Sequence, residues 1–180
     1  MSARRIWLTL ALALLSGAAL AAAPPEPADY RLGDYQSPTP DTLNGQPALT
    51  VEAAKNLWSD PKVLFVDVLP HAPRPEGLAP GTVWQEKPHV SIVRAVWLPE
   101  VGRGALAAET ELYFSRSLTE LTGGDKAAPL VFFCKRACWM SWNAAKRAQA
   151  LGYSRVYWYS DGVEGWREAG LPMEEIAPRP

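Results

Sequence analysis

The stretch Leu130-Val131-Phe132-Phe133-Cys134-Lys135-Arg136-Ala137-Cys138-Trp139 decides how this chain folds. Four apolar residues behind Pro129 are too few for a helix and have the bulk of a buried strand. After a short loop, residues 141–151 are good helix formers, and Gly152 closes the segment. A second apolar run, 156–159, follows at once. Strand, cysteine, loop, helix and strand in that order describe a parallel crossover unit. Upstream, 63–68 and 93–98 have the same short, β-branched character and predict two more strands. Thr50 caps a predicted helix over 51–58, apolar residues at helical spacing predict one over 109–121 before Gly123-Gly124, and 163–169 is a last short helix after the Asp161-Gly162 turn. The alternation predicts an α/β fold: a central parallel sheet flanked by helices in three layers.

The remaining segments set the organisation. Residues 1–21 carry Arg4 and Arg5, an uncharged run over 6–20 and the small-residue pattern Ala19-Leu20-Ala21, which reads as a secretory signal peptide cleaved near Ala21. The run is short of the roughly 20 apolar residues a membrane span needs, and no cysteine stands nearby to make a lipoprotein. The expectation is a periplasmic protein with no membrane attachment after cleavage. Residues 22–48 form a Pro-rich lead-in whose Tyr30 and Tyr35 suggest docking on the domain, and 49–176 form the domain itself. Within it, 70–88 is a long irregular loop rich in proline, of the kind that often serves function. The 180 residues are 48% hydrophobic and 21% charged with net charge -1, an ordinary globular balance. No basic run exists to attract a polyanion, so nucleic acid is excluded as a partner.

Chemistry concentrates at the cysteines. At the C-terminal edge of a parallel sheet, the following helix points its free N–H groups at the turn. Cys134 stands there, with Lys135 and Arg136 beside it, so the expectation is a reactive thiolate with a lowered pKa. Cys138, four positions on, is expected to face the same way on an early helical turn and to resolve an oxidised Cys134 to a disulfide. Closing so short a loop contributes only about 2 kcal/mol, so a purely structural bridge explains the pair poorly. Trp139 and Trp142 are placed to cover the thiol pocket or simply to pack. Asp67, at a strand end, and Arg94 are supporting candidates: Asp67 to orient the loop or a cation or only to cap neighbouring backbone, Arg94 to bind an anionic substrate or simply to lie on a solvated edge.

Phe132-Phe133-Cys134, residues 144–152, Val156-Tyr157, the run 161–166 and Gly170-Leu171-Pro172 resemble the C-terminal half of rhodanese domains, and 63–68 with Asp67 resembles their first core strand. The composite Cys134 to Trp139, followed by Met140-Ser141-Trp142-Asn143, resembles more specifically the exported family named for a CXXCW motif and associated with pyrroloquinoline quinone-dependent (quinoprotein) alcohol catabolism. The resemblance implies a rhodanese-like three-layer domain and a persulfide-forming Cys134 cradled by the loop Lys135, Arg136, Ala137 and Trp139. Ala137, Cys138 and Trp139 stand where sulfurtransferases usually place glycine and a basic or hydroxyl residue, which turns the expectation toward redox chemistry on the same cradle.

Two functions are carried forward. One is an exported thiol protein, redox-active or persulfide-forming at Cys134 and Cys138, serving quinoprotein alcohol catabolism and acting on a small sulfur- or thiol-containing substrate or a periplasmic redox protein. The other is a non-enzymatic binding module for copper, or for a redox partner or cofactor. Two thiolates near Met140, with His71 or His89 in reach, are soft ligands suited to Cu(I). Other sites are excluded by spacing. The two histidines lie too far apart for a zinc finger, no haem-attachment motif is present, Gly102-Arg103-Gly104 lacks the rest of a phosphate loop, and no Ser–His–Asp set can be assembled.

Overall fold

The computed structural model describes residues 22–85 and 87–180; the leader expected over 1–21 lies outside the described residues. In chain order the elements are β1 (Thr42–Leu43), β2 (Gln46–Pro47), α1 (Val51–Trp58), β3 (Leu64–Asp67), β4 (His89–Ile92), β5 (Val96–Trp97), α2 (Ala108–Thr122), β6 (Leu130–Phe133), α3 (Trp139–Ala150), β7 (Val156–Tyr159), α4 (Gly162–Glu168) and β8 (Met173–Ile176). The central sheet has the order β5-β3-β6-β7, and every pairing in it is parallel.

Side chains alternate across this sheet, as a two-residue period requires. Val66, Leu130, Phe132, Val156 and Trp158 face one core with Phe114 and Leu118 of α2 and Trp142, Ala145 and Ala148 of α3. Phe65, Val131, Phe133 and Tyr159 face a second core with Ala54 of α1 and Val163 and Trp166 of α4. Both faces are therefore covered, which is why these strands read as continuous apolar runs. The expected α/β architecture, a parallel sheet between helical layers, is the one observed.

The strand expected over 93–98 is split. Residues 89–92 pair antiparallel with β8 in a separate ribbon, and the chain rejoins the central sheet only at Val96. Between them Arg94 adopts a left-handed φ of 68° and the Ala95 amide bonds back to the Ile92 carbonyl at 2.9 Å, a tight turn that an unbroken strand cannot contain. Helix α3 begins at Trp139 rather than Ser141, which makes Cys138 its N-cap residue.

The lead-in docks along α3. It forms the β1–β2 hairpin around Asn44-Gly45, both at positive φ (48° and 74°), the conformation a two-residue hairpin turn demands. Asn143 of α3, fully buried, receives the Arg31 amide at 2.9 Å and donates its own amide to the Arg31 carbonyl at 2.9 Å and to Gly102 O at 3.0 Å. Truncating it strands those groups in the interior. Asn143→Ala is expected to cost about 2 kcal/mol and to free residues 30–38 from the domain, read as a lowered urea midpoint and early protease cleavage in that segment.

Candidate functional site

The site is built where β6 ends. Phe133 is the last paired residue, in register with Asp67 of β3 and Tyr159 of β7. Cys134 follows directly, at the C-terminal edge of the sheet, where the sequence places it. Its carbonyl accepts the Val163 amide at 3.0 Å, and Lys135 bridges to Gly162. That approach needs glycine. A Cβ at Gly162 would stand 2.4 Å from the Cys134 carbonyl oxygen, and the residue has φ of 54°.

From there the chain makes a tight loop in which Ala137 takes a left-handed φ of 53°, and α3 starts immediately after Cys138. The cysteines therefore do not share a helical turn; the loop curls to bring the two thiols together. The two sulfurs are near neighbours and act on each other's ionisation, with Cys134 on the donor side. A helix leaves its first N–H groups without internal partners. Here the Trp139 amide goes to the Tyr35 carbonyl at 2.9 Å. Cys138 makes no side-chain cap hydrogen bond, but the Met140 and Ser141 amides lie close enough to act on its sulfur as dipoles.

The electrostatics reverse the expectation for the pair. Burial pushes the Cys134 thiol well above its ordinary range, and the hydrogen bond to Cys138 and the charge of Asp67 add to that effect. Cys138 is lowered to about 7, chiefly by the hydrogen bond it receives from Cys134, with the Met140, Ser141 and Lys135 amides helping against its desolvation. The helix N-terminus thus acts on the second cysteine, not the first, because α3 begins one residue past Cys138. A thiolate beside first-turn amides is the general route to an acidic cysteine.

The flanking cations separate as well. Arg136 turns away, pairing with Glu168 at 2.6 Å and Asp161 at 3.5 Å while its amide donates to Glu164. Lys135 remains at the site and lines two cavities, one of about 160 Å³ with Tyr35, Gln36, Leu69, Pro70, Cys138 and Met140. The other, about 380 Å³, has His71, Lys87 and His89 in its wall, contributed by the proline-rich loop and the strand after it. Leu69, Pro70 and Lys135 are common to both, so the cavities adjoin.

Asp67 is fully buried under this edge. Its carboxylate accepts the Leu69 amide at 2.9 Å, His89 Nε2 at 2.8 Å and Ser91 Oγ at 2.5 Å. It ties the turn after β3 to β4 through the Leu69 amide, His89 and Ser91. Arg94 is engaged elsewhere: its guanidinium lies 4.7 Å over the Trp58 ring and its amide donates to Glu174 at 2.6 Å. None of these partners lines either cavity. Trp139 does not face the thiol cavity either. It is buried edge-on against Trp142 at 5.5 Å, and its indole N–H goes to Ser37 Oγ and Pro38 O.

The cover over the loop comes instead from the lead-in, a role that sequence reasoning missed. Gln36 bridges to Cys138, and its side chain donates to the Arg136 and Ala137 carbonyls. Tyr35 supplies cavity wall, core packing and the carbonyl that caps α3. The docking aromatics were the only signal of this in the sequence. Among the described residues, no cluster of three His, Cys, Asp or Glu side chains is arranged to hold a metal ion.

The chain matches the family model described as "Rhodanese-like domain" over residues 50–169. Its structure is similar to that of the Alr3790 protein from Anabaena sp., at 14% identity over 70% of this chain and 77% of that one, TM-score 0.43. It is similar also to EanB, solved in complex with hercynine (20% identity, 73% and 32% coverage, TM-score 0.48). A third is SseA from Escherichia coli, a 3-mercaptopyruvate sulfotransferase (19% identity, 73% and 53% coverage, TM-score 0.46). This chain thus spans about a third of the second of these and about half of the third. No curated protein matches it.

The buried carboxylate offers a direct check on the edge. Asp67→Ala leaves the Leu69 amide, His89 and Ser91 without their acceptor, and is expected to cost about 3 kcal/mol. Urea denaturation of the reduced protein should show a lower midpoint with an unchanged slope.

Proposed function

This chain belongs to the rhodanese-like domain family, and on that premise we propose that its Cys134–Cys138 pair is a dithiol–disulfide redox couple. The observation that carries the reading is the contact between two thiols in opposite environments. Burial disfavours ionisation of Cys134, whereas Cys134 on its donor side and the first amides of α3 favour it at Cys138. In disulfide exchange a thiolate attacks an incoming disulfide and a neighbouring thiol resolves the mixed disulfide that results. A persulfide on either sulfur stands beside the other, which would expel it as hydrosulfide while the disulfide closes. That favours redox cycling over storage of sulfur, and transient persulfide formation belongs to the same chemistry.

The cellular setting follows from the sequence. The leader over 1–21 supports export to the periplasm, an oxidising compartment in which such a couple is useful. The match of Cys134 to Trp139 and the residues after it to the CXXCW pattern supports membership of that exported group, and with it an accessory role in pyrroloquinoline quinone-dependent alcohol catabolism. The partner is then a small thiol or disulfide compound or a periplasmic redox protein. Met140 in the wall beside Cys138 favours one second reading, a Cu(I) ion bound by the two thiolates and the thioether.

Intact-mass measurement of the exported protein tests all of this. The expected result is a chain beginning near Ala22, lighter by two hydrogens than its reduced form and restored by a thiol reductant. A stably reduced pair after exposure to oxidised glutathione would refute the redox couple. A copper ion retained in the native spectrum would favour the binding module. A full-length chain extracted only with membranes would refute export.

A further inference from the structure

Both thiols are buried, Cys134 fully and Cys138 at 4% exposure, but only one of them borders a cavity. Cys138 lines the cavity of about 160 Å³ together with Lys135 and Met140, whereas Cys134 stands behind it with no exposed surface. Cys138 is also the residue at the start of α3, where helix amides favour a sulfur anion. Cys134 follows Phe133, the residue in register with Asp67 of the neighbouring strand, and the negative charge of that buried carboxylate disfavours ionisation there.

We propose that Cys138 is the attacking thiol and Cys134 the resolving thiol, acting on a small-molecule disulfide admitted through the two adjoining cavities. This rests on the redox reading above, and it inverts the order expected from the sequence, in which the strand-end cysteine attacks first. The Cys138 thiolate attacks one sulfur of the substrate, forming a Cys138–substrate disulfide and breaking the substrate's own sulfur–sulfur bond. The first half departs as a thiolate beside Lys135, the cation common to both cavities. Cys134 then attacks Cys138 Sγ. Its proton passes to the departing second half, which leaves as a thiol while the Cys134–Cys138 disulfide closes. The dithiol is oxidised by two electrons, and the substrate disulfide is reduced to two thiols.

The depressed value of Cys138, about 7, agrees with this order, as does the raised value of Cys134. Burial explains the division of labour. A disulfide in solution cannot reach Cys134 directly, but one already anchored on Cys138 presents its linkage to the buried sulfur next to it.

The test uses the mature reduced protein and oxidised glutathione, followed by intact mass and peptide mapping. Wild type is expected to form the internal disulfide and release two glutathione molecules. Cys134→Ser is expected to stop at one glutathione on Cys138, and Cys138→Ser to react at least tenfold more slowly than wild type. Brief treatment of reduced wild type with iodoacetamide at neutral pH provides a check independent of either variant, and the label is expected on Cys138. A label on Cys134, or rapid adduct formation in Cys138→Ser, would overturn the order while leaving the redox couple in place. Failure of wild type to form the internal disulfide would overturn both.

Discussion

The hydrogen bond from the Val163 amide to the Cys134 carbonyl sets the geometry of the whole working edge. It holds the end of β6 against the start of α4, and only a glycine at 162 lets the two backbones come that close. With the Cys134 carbonyl committed to α4, its side chain stays inside the domain. The chain has only Lys135, Arg136 and Ala137 in which to reverse and enter α3. The left-handed turn at Ala137 follows from that shortage of length, and the meeting of the two sulfurs follows from the turn. The asymmetry of the pair is thus a product of backbone connectivity before it is a matter of charge.

Much of the fold is legible in the sequence. Residues 130–133 and 156–159 are strands as expected, because runs buried on both faces leave an unbroken apolar signature. The helices over 51–58 and 109–121 were legible from a cap, a spacing and a glycine stop, and differ from the observed ones by a residue at most. The segment 93–98 misled because its apolar content suits the end of one strand and the start of another equally well. The turn at Arg94 that divides them has no glycine to mark it. The Asn44-Gly45 hairpin did carry its usual signal, inside a stretch whose prolines suggested only an extended lead-in.

The site was legible as a location, not as an arrangement. The order of strand, cysteine and helix places Cys134 at the sheet edge, and the cysteine spacing marks its partner. Which sulfur receives the helix amides depends on whether α3 starts at residue 139 or 141, a difference within the ordinary uncertainty of helix ends. Which cation stays at the site depends on α4 offering Glu164 and Glu168 to Arg136, a contact across 28 to 32 residues that no local pattern encodes. Lys135, with the same charge, lines both cavities instead.

The lead-in strap has a consequence for how the protein reaches this state. Its bonds to the cysteine loop join residues about a hundred positions apart: Gln36 to Arg136 and Ala137, and Trp139 to Ser37 and Pro38. Contacts of such separation carry a high entropic cost of closure and form slowly compared with local ones. The parallel sheet can assemble from 50 onward while residues 30–38 are still searching. Both thiols therefore meet solvent during folding, and closure of the strap leaves only the approach to Cys138 through the cavity that Tyr35 and Gln36 line. The finished domain keeps its chemistry behind a segment that arrives last.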